Sequence, residues 1–329
     1  MSGDGPAAGA DGAPAVGSTA GQRVLVVGEA LVDVFPDEPG GPARASGRVP
    51  GGSPANMAVG LARLGLPVAL LTHLGDDEDG ALVLEHLTDA GVEVLDGSVV
   101  EGRTSTAVAT VDEAGVPAYE FDVAWQLPDV ATIEIPEAVH VGSYAAFVEP
   151  GATRVREVAA RAAAEGAIVS FDPNIRAALL PPLAQVQQGY DALAAHASVV
   201  KISDEDAEWL FPDLTDEEVV AHTLALGPRL VVLTLGAEGA ILADQARSVR
   251  VPRAQVDVVD TVGAGDSYMA ALIDSLLTLP GGAGPVGGDG AGDEPLDLER
   301  IGRRSAAASG ITVSRRGADL PTAAELDQA

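Results

Sequence analysis

The sequence predicts an α/β fold: a three-layer sandwich with a mainly parallel central sheet, helices on both faces, and a small β lid. Three observations predict it. Short apolar runs rich in β-branched residues recur along the chain and alternate with stretches of helical spacing. Those runs carry little polar alternation, the mark of strands covered on both faces. One segment, 104–123, instead alternates residue by residue and needs a sheet of its own.

The elements follow in order. RVLVVGEALVDVF (23–35) opens as a buried strand, and SPANMAVGLARLG (53–65) has helical spacing with a stop at Gly65. VALLTHLG (68–75) is a strand, and GALVLEHLTDAG (80–91) is a helix that closes on glycine. TSTAVATVDEAGVPAYEFDV (104–123) alternates and turns at 113–115, a hairpin that sets Tyr119 and Phe121 on one side. AVHVGS (138–143) is a short strand, with a helix near 151–166 after it. AIVSFDPN (167–174), SVVKIS (198–203) and RLVVLTLG (229–236) are further strands, each beside helical stretches. A helix follows Asp266, and a last one lies near 296–313. Between them, 281–295 is Gly-rich and reads as a flexible surface loop. The hairpin and residues 35–50 do not fit the parallel pattern, so segments 35–50 and 98–126 are assigned to the lid. In such folds ligands bind outside the carboxyl ends of the strands.

Composition narrows the function. The chain has 329 residues, 47% of them hydrophobic, enough for a substantial core. It has no cysteine, which excludes disulfides, thiolate metal sites and cysteine nucleophiles. No apolar run approaches the roughly 20 residues that span a bilayer. Residues 1–21 lack a basic start and an apolar stretch; they read as a disordered leader before a domain at 22–323, and the expected location is cytoplasmic. A net charge of −30 repels nucleic acid and anionic membranes, so neither is expected as a partner. Lys201 is the sole lysine.

Several familiar chemistries are absent. Without a Gly-Lys-Ser/Thr there is no Walker A loop, and VVGEALVD is not the dinucleotide-binding fingerprint. Histidines 73, 86, 140, 196 and 222 show no ligand spacing. What stands out is DVVDTVGAGDSYMAALIDSLL (257–277), where Gly263, Ala264, Gly265 and Asp266 open an apolar helix. A helix start offers unpaired N–H groups and partial positive charge to an anion. An aspartate there would repel that anion unless it takes the proton of an attacking hydroxyl. Backbone N–H groups of 263–266 would then stabilise a transferring phosphoryl group. A second helix start, PGGSPANMAVGLARLG (50–65), presents Gly51, Gly52 and Asn56, neutral groups suited to a polyhydroxylated ligand. Asp33 adds a carboxylate for sugar hydroxyls. Taken singly, these are also ordinary capping turns and a loop acid.

Together the motifs resemble the ribokinase-like (PfkB-type) family of carbohydrate kinases, most closely its fructokinase-like members. The resemblance spans about residues 22–323. It rests on GGSPANMAVGLARLG and DTVGAGDSYMA, with HLGDDEDG, FDPNIR, VVKISDEDAEWL and LTLGAEGA between them in order. It implies ATP-dependent phosphorylation of a hydroxyl of a small sugar, fructose first. The alternatives are 2-keto-3-deoxygluconate, ribose, inositol or a nucleoside, or a catalytically silent sugar-binding sensor. The resemblance makes Asp266 the base and Gly263, Ala264 and Gly265 the anion hole. Asp33, Gly51, Gly52 and Asn56 would bind the sugar, with Arg176 reaching toward the phosphates. Asn174, Ser203, Thr234, Gly236 and Gly239 would line the ATP site, with residues 303–309 over adenine. Mg²⁺ is implied, held through water by Asp206, and some relatives add a monovalent cation such as K⁺, here at Asp260 and Val262. The lid edge offers a surface for a homodimer. Departures are Ser203 and Asp206 in place of an N-x-x-E motif, Ala306 where relatives often carry asparagine, and Ser143 where ribokinase-type members tend to carry glutamate.

Overall fold

A computed structural model describes residues 19–21, 23–35, 47–111, 117–279 and 295–329, without the side chains of 109–119. The expected leader up to residue 18, lid residues 36–46, the hairpin turn at 112–116, the Tyr119 side chain and the Gly-rich loop at 281–294 lie outside that description. Thr19 belongs to the body: it is buried and its hydroxyl donates to the Glu134 carbonyl at 2.8 Å.

The first apolar run is two strands rather than one. β1 (Val24–Val27) ends at Gly28, and β2 (Leu31–Phe35) belongs to another sheet. A Cβ on Gly28 would lie 2.3 Å from the Pro54 ring, so the chain turns away there on a residue without a side chain. Then come β3 (Gly47–Gly51), α1 (Ser53–Arg63), β4 (Val68–Leu71), β5 (Leu74–Gly75), α2 (Glu78–Asp89), β6 (Val92–Val94) and β7 (Val99–Val100). The hairpin is β8 (Thr106–Val111) and β9 (Pro117–Asp122). Next are β10 (Ala138–Gly142), α3 (Gly151–Ala164), β11 (Ile168–Asp172), α4 (Leu183–Ala194), β12 (Val199–Ser203), α5 (Asp204–Leu210) and α6 (Asp216–Ala225). The chain closes with β13 (Leu230–Thr234), β14 (Ala240–Ala243), β15 (Ser248–Val251), α7 (Ala264–Thr278), α8 (Leu298–Val313) and α9 (Ala323–Leu326).

Among the described residues the large sheet has nine strands, ordered β15-β14-β13-β12-β11-β10-β1-β4-β6. It is parallel from β13 through β6; β14 and β15 pair antiparallel at one edge. The antiparallel pairs follow from their short connections, since only a longer crossover can join parallel strands. Side chains of β1 alternate between two cores: Leu25 and Val27 pack toward α3, α4, α5 and α6, Val24 and Val26 toward α1, α2, α7 and α8. The four-stranded lid sheet runs β3-β2-β8-β9. Its root is tied to the body by Asp77, which caps α2 and accepts from both the N–H and the hydroxyl of Thr104. Two lid aromatics serve as packing: Phe121 lies against the core, and Trp125 is buried with its indole N–H on the Ala145 carbonyl.

Candidate active site

Two helix starts meet at the centre of the molecule. α1 is capped by Gly52 at φ 100°, α7 by Gly263 at φ 76°, both in the region that favours glycine. Neither has room for a side chain. A Cβ on Gly52 would stand 2.9 Å from the Glu29 carbonyl oxygen, and one on Gly263 2.8 Å from the Ala318 methyl. Across the junction the Asp266 carboxylate accepts from the Ser53 hydroxyl at 2.6 Å and from the Asn56 amide Nδ2 at 2.9 Å. Asn56 therefore holds the carboxylate expected to act as base. Burial pushes the Asp266 pKa up, as does nearby Asp172; Ser53, Asn56 and the charge of Arg176 pull against this without cancelling it. The result is a carboxylate with enhanced proton affinity, fixed in orientation.

Next to it lies a charged pair that the sequence argument left without a role. Lys201, inside β12, is buried and sits 2.7 Å from Asp172 at the end of β11. Burial alone would lower the Lys201 pKa; Asp172, with Asp206 and Asp266 behind it, outweighs burial and keeps the ammonium charged. A Cβ on Gly265 would be 3.5 Å from Nζ, so the ammonium stands beside the first turn of α7. The second Asp172 oxygen, Oδ1, is buried without a hydrogen-bond partner. Asp206 is buried too, accepting from the Ile175 N–H at 2.9 Å; burial and then Asp172 raise its pKa.

The lid supplies the opposite wall. Asp33 lies on β2 opposite Val49, and a Cβ on Gly51 would be 2.3 Å from its Oδ2. Burial pushes the Asp33 pKa up to about 6, against the pull of Arg176. Arg176 is exposed, donates to the Ile175 carbonyl, and projects its charge onto three carboxyls from three places in the fold: Glu29, Asp33 and Asp266. Asn174, two residues before it, has a left-handed φ of 36°.

Other expected site residues take quieter positions. Ala264 turns its N–H back onto the Thr261 carbonyl at 3.2 Å, so it is spent on the turn, not offered to a ligand. The Ser203 hydroxyl caps α5 by accepting from the Asp206 N–H at 3.0 Å. Thr234, Gly236 and Gly239 gather at the turn between β13 and β14, where a Cβ on Gly239 would meet the Val251 carbonyl at 2.1 Å. Both Asp260 oxygens accept backbone N–H groups, from Val262 at 3.2 Å and Gly317 at 3.0 Å, so this carboxylate ties the 317 loop to the α7 entry.

The donors fit a nucleotide with its metal in one way. The backbone N–H groups of Gly265 and Asp266, with the Lys201 ammonium beside them, are hydrogen-bond donors suited to phosphate oxygens. No cluster of three or more His, Asp or Glu side chains able to hold a metal occurs among the described residues. The orphaned Asp172 oxygen and neighbouring Asp206 therefore suit a hard cation carried mainly by phosphate oxygens and water.

Lys201, Asp172, Ser53 and Glu29 are the residues that sequence reasoning did not assign. A signal existed for the first: a lone charge inside the apolar strand VVKIS must be paired when buried.

Comparison with known proteins gives the family. Residues 21–325 match the model of the pfkB family carbohydrate kinases. The chain is 33% identical to fructokinase-1 of Zea mays, with 93% of this chain and 97% of the maize protein aligned. Among solved structures it resembles a fructokinase from Xylella fastidiosa with bound ATP, at 26% identity, TM-score 0.77, and 93% and 98% of the two chains covered. It also resembles a double mutant of a Vibrio cholerae fructokinase in a form with fructose, ADP and potassium ion, at 28% identity, TM-score 0.75, and 93% and 97% coverage.

Proposed function

From the premise that this chain belongs to the pfkB family of carbohydrate kinases and is an ATP-dependent sugar kinase, we propose that its acceptor is fructose and that Asp266 is the base. The observation that carries the reading is the Asp266 carboxylate, buried between Ser53 and Asn56 at the start of α7, with the Lys201 ammonium alongside. Fructose is favoured by the relatives named above, one of which binds fructose together with ADP.

In this reading the sugar lies between the lid and the α1 start. Asp33 accepts from two of its hydroxyls, and Gly51 and Gly52 let it approach the backbone. A primary hydroxyl points at Asp266. Its oxygen bonds to the γ-phosphorus of ATP, its proton passes to the Asp266 carboxylate, and the bond to the bridging oxygen breaks to release ADP. The N–H groups of Gly265 and Asp266 and the Lys201 ammonium stabilise charge on the transferred group. Arg176 reaches from the mouth toward the phosphates. Asn174, Thr234, Gly236 and Gly239 line the nucleotide side, with Ser203 fixing the α5 start. Mg²⁺ bound with the nucleotide would neutralise phosphate charge, with Asp206 and Asp172 as the residues to hold its water shell. A monovalent cation near Asp260 and Val262 would act on the same loop.

The test is ADP release with Mg-ATP and K⁺ over fructose, ribose, 2-keto-3-deoxygluconate, glucose, inositol and nucleosides. The reading expects fructose to be turned over at about 1 s⁻¹ or faster, ordinary for kinases. Preferred turnover of another compound in the panel would overturn fructose as the substrate.

A further inference from the structure

Glu29 belongs to none of the roles assigned above, yet its surroundings are those of the candidate sugar subsite. It occupies the break between β1 and β2, at the carboxyl end of a central strand. Its backbone carbonyl lies under Gly52. Its side chain is buried, and Oε2 has no hydrogen-bond partner. Folded proteins rarely leave a buried carboxyl oxygen unpaired, because the lost solvation is not recovered; such an atom calls for an explanation.

Three neighbours point to a ligand as that explanation. Arg176, which also acts on Asp33 and Asp266, projects its charge onto Glu29. Ser143, at the end of β10, interacts with the Glu29 carboxyl while held at φ 55°. Ser143 and Asn174 are the non-glycine residues with left-handed φ among the described residues, and they follow adjacent strands at this same end of the sheet. Strain of this kind persists where a site requires it. The buried Tyr144 hydroxyl is electrostatically coupled to Glu29, with the Ser105 hydroxyl acting on it as well.

We infer that Glu29 is a specificity-determining residue of the sugar subsite, its Oε2 kept free for one hydroxyl of the bound sugar. This rests on the chain's being a sugar kinase, not on the sugar's being fructose. Burial pushes the Glu29 pKa up to about 7, with Ser143 and Arg176 pulling down, so near neutrality the carboxyl can donate a hydrogen bond as well as accept one. A neutral hydroxyl is the group that suits such a partner.

The experiment compares the full-length wild type with Glu29→Leu and Glu29→Gln. The acceptor is the sugar that the wild type turns over best, used beside its series of monodeoxy analogues. Glu29→Leu removes hydrogen bonding at similar volume. It should lower kcat/KM for the intact sugar about tenfold or more, the scale of one buried hydrogen bond, and leave the KM for ATP unchanged. For one analogue, the one lacking the recognised hydroxyl, wild type and variant should be equal. If Glu29→Leu does not fold, Glu29→Gln serves: it should change the penalty for that same analogue several-fold and leave the KM for ATP unchanged. An equal loss on every analogue, a matching rise in the KM for ATP, or no loss at all would overturn the inference and leave Oε2 to a trapped water. If the preferred sugar is not fructose, the fructose reading falls while the comparison still decides the role of Glu29.

Discussion

At the scale of single residues the site is a problem of buried charge. Asp266 is held by two neutral donors rather than a cation, so it keeps its affinity for a proton. Asp266→Asn should lower kcat by about 10²–10⁴-fold, the usual contribution of a general base. Sugar binding measured by calorimetry should barely change, and an unaltered kcat would remove Asp266 from the chemistry. Lys201 and Asp172 are different, because each neutralises the other out of water. Lys201→Met should destabilise the fold by about 3–5 kcal/mol by leaving a buried carboxylate unpaired. Adding Asp172→Asn should recover much of that loss in urea unfolding yet leave turnover impaired. Recovery of both would make the pair purely structural. Glu29 makes a pH prediction. Its folded pKa of about 7 lies above the ordinary 4.5, so the folded state binds its proton more tightly. That contribution is fully present below about pH 4.5 and is lost as pH rises through about 7. The stability of wild type minus that of Glu29→Gln should therefore fall between those limits, by at most about 3 kcal/mol at 1.36 kcal/mol per unit.

At the scale of elements, two helix starts and one lid strand carry the arrangement, and their glycines predict different failures. At Gly263 both a left-handed φ and the Ala318 backbone oppose a side chain. Gly263→Ala should lower the melting temperature by several degrees, since the conformation alone costs about 1–2 kcal/mol. At Gly51 the obstacle is the movable end of Asp33. Gly51→Ala should leave melting almost unchanged and raise the KM for sugar several-fold as Asp33 swings aside; a fall in stability with an unchanged KM would contradict this. The helices were legible because their signals are local: apolar spacing over 53–65 and a glycine stop at Gly65 correspond to α1. The split of the first apolar run was not, because apolar residues in β1 and β2 look alike whichever sheet covers them. The antiparallel strands β14 and β15 escaped for a similar reason, since four residues carry too little pattern to separate from a loop.

At the scale of the whole molecule, 49 acidic residues against 19 basic ones leave a net charge of −30. Self-repulsion on that scale opposes compaction, and its range shrinks from about 30 Å in 0.01 M salt to about 3 Å in 1 M. The melting temperature should therefore rise by several degrees from 0.01 M to 1 M NaCl in calorimetric scans; a flat or falling trend would mean that the surface ion pairs outweigh the excess. The sequence by itself determined the α/β class, the two motif-bearing helix starts, the acid at the second of them and the family, because periodicity, glycine placement and residue type are properties of short segments. Only the tertiary structure decided that Asn56 and Ser53 grip Asp266 across 210 and 213 positions of chain, that Lys201 pairs with Asp172, and that Glu29 lies buried beside Arg176. Those are facts about which groups lose water and what replaces it, and desolvation depends on neighbours brought from distant parts of the chain.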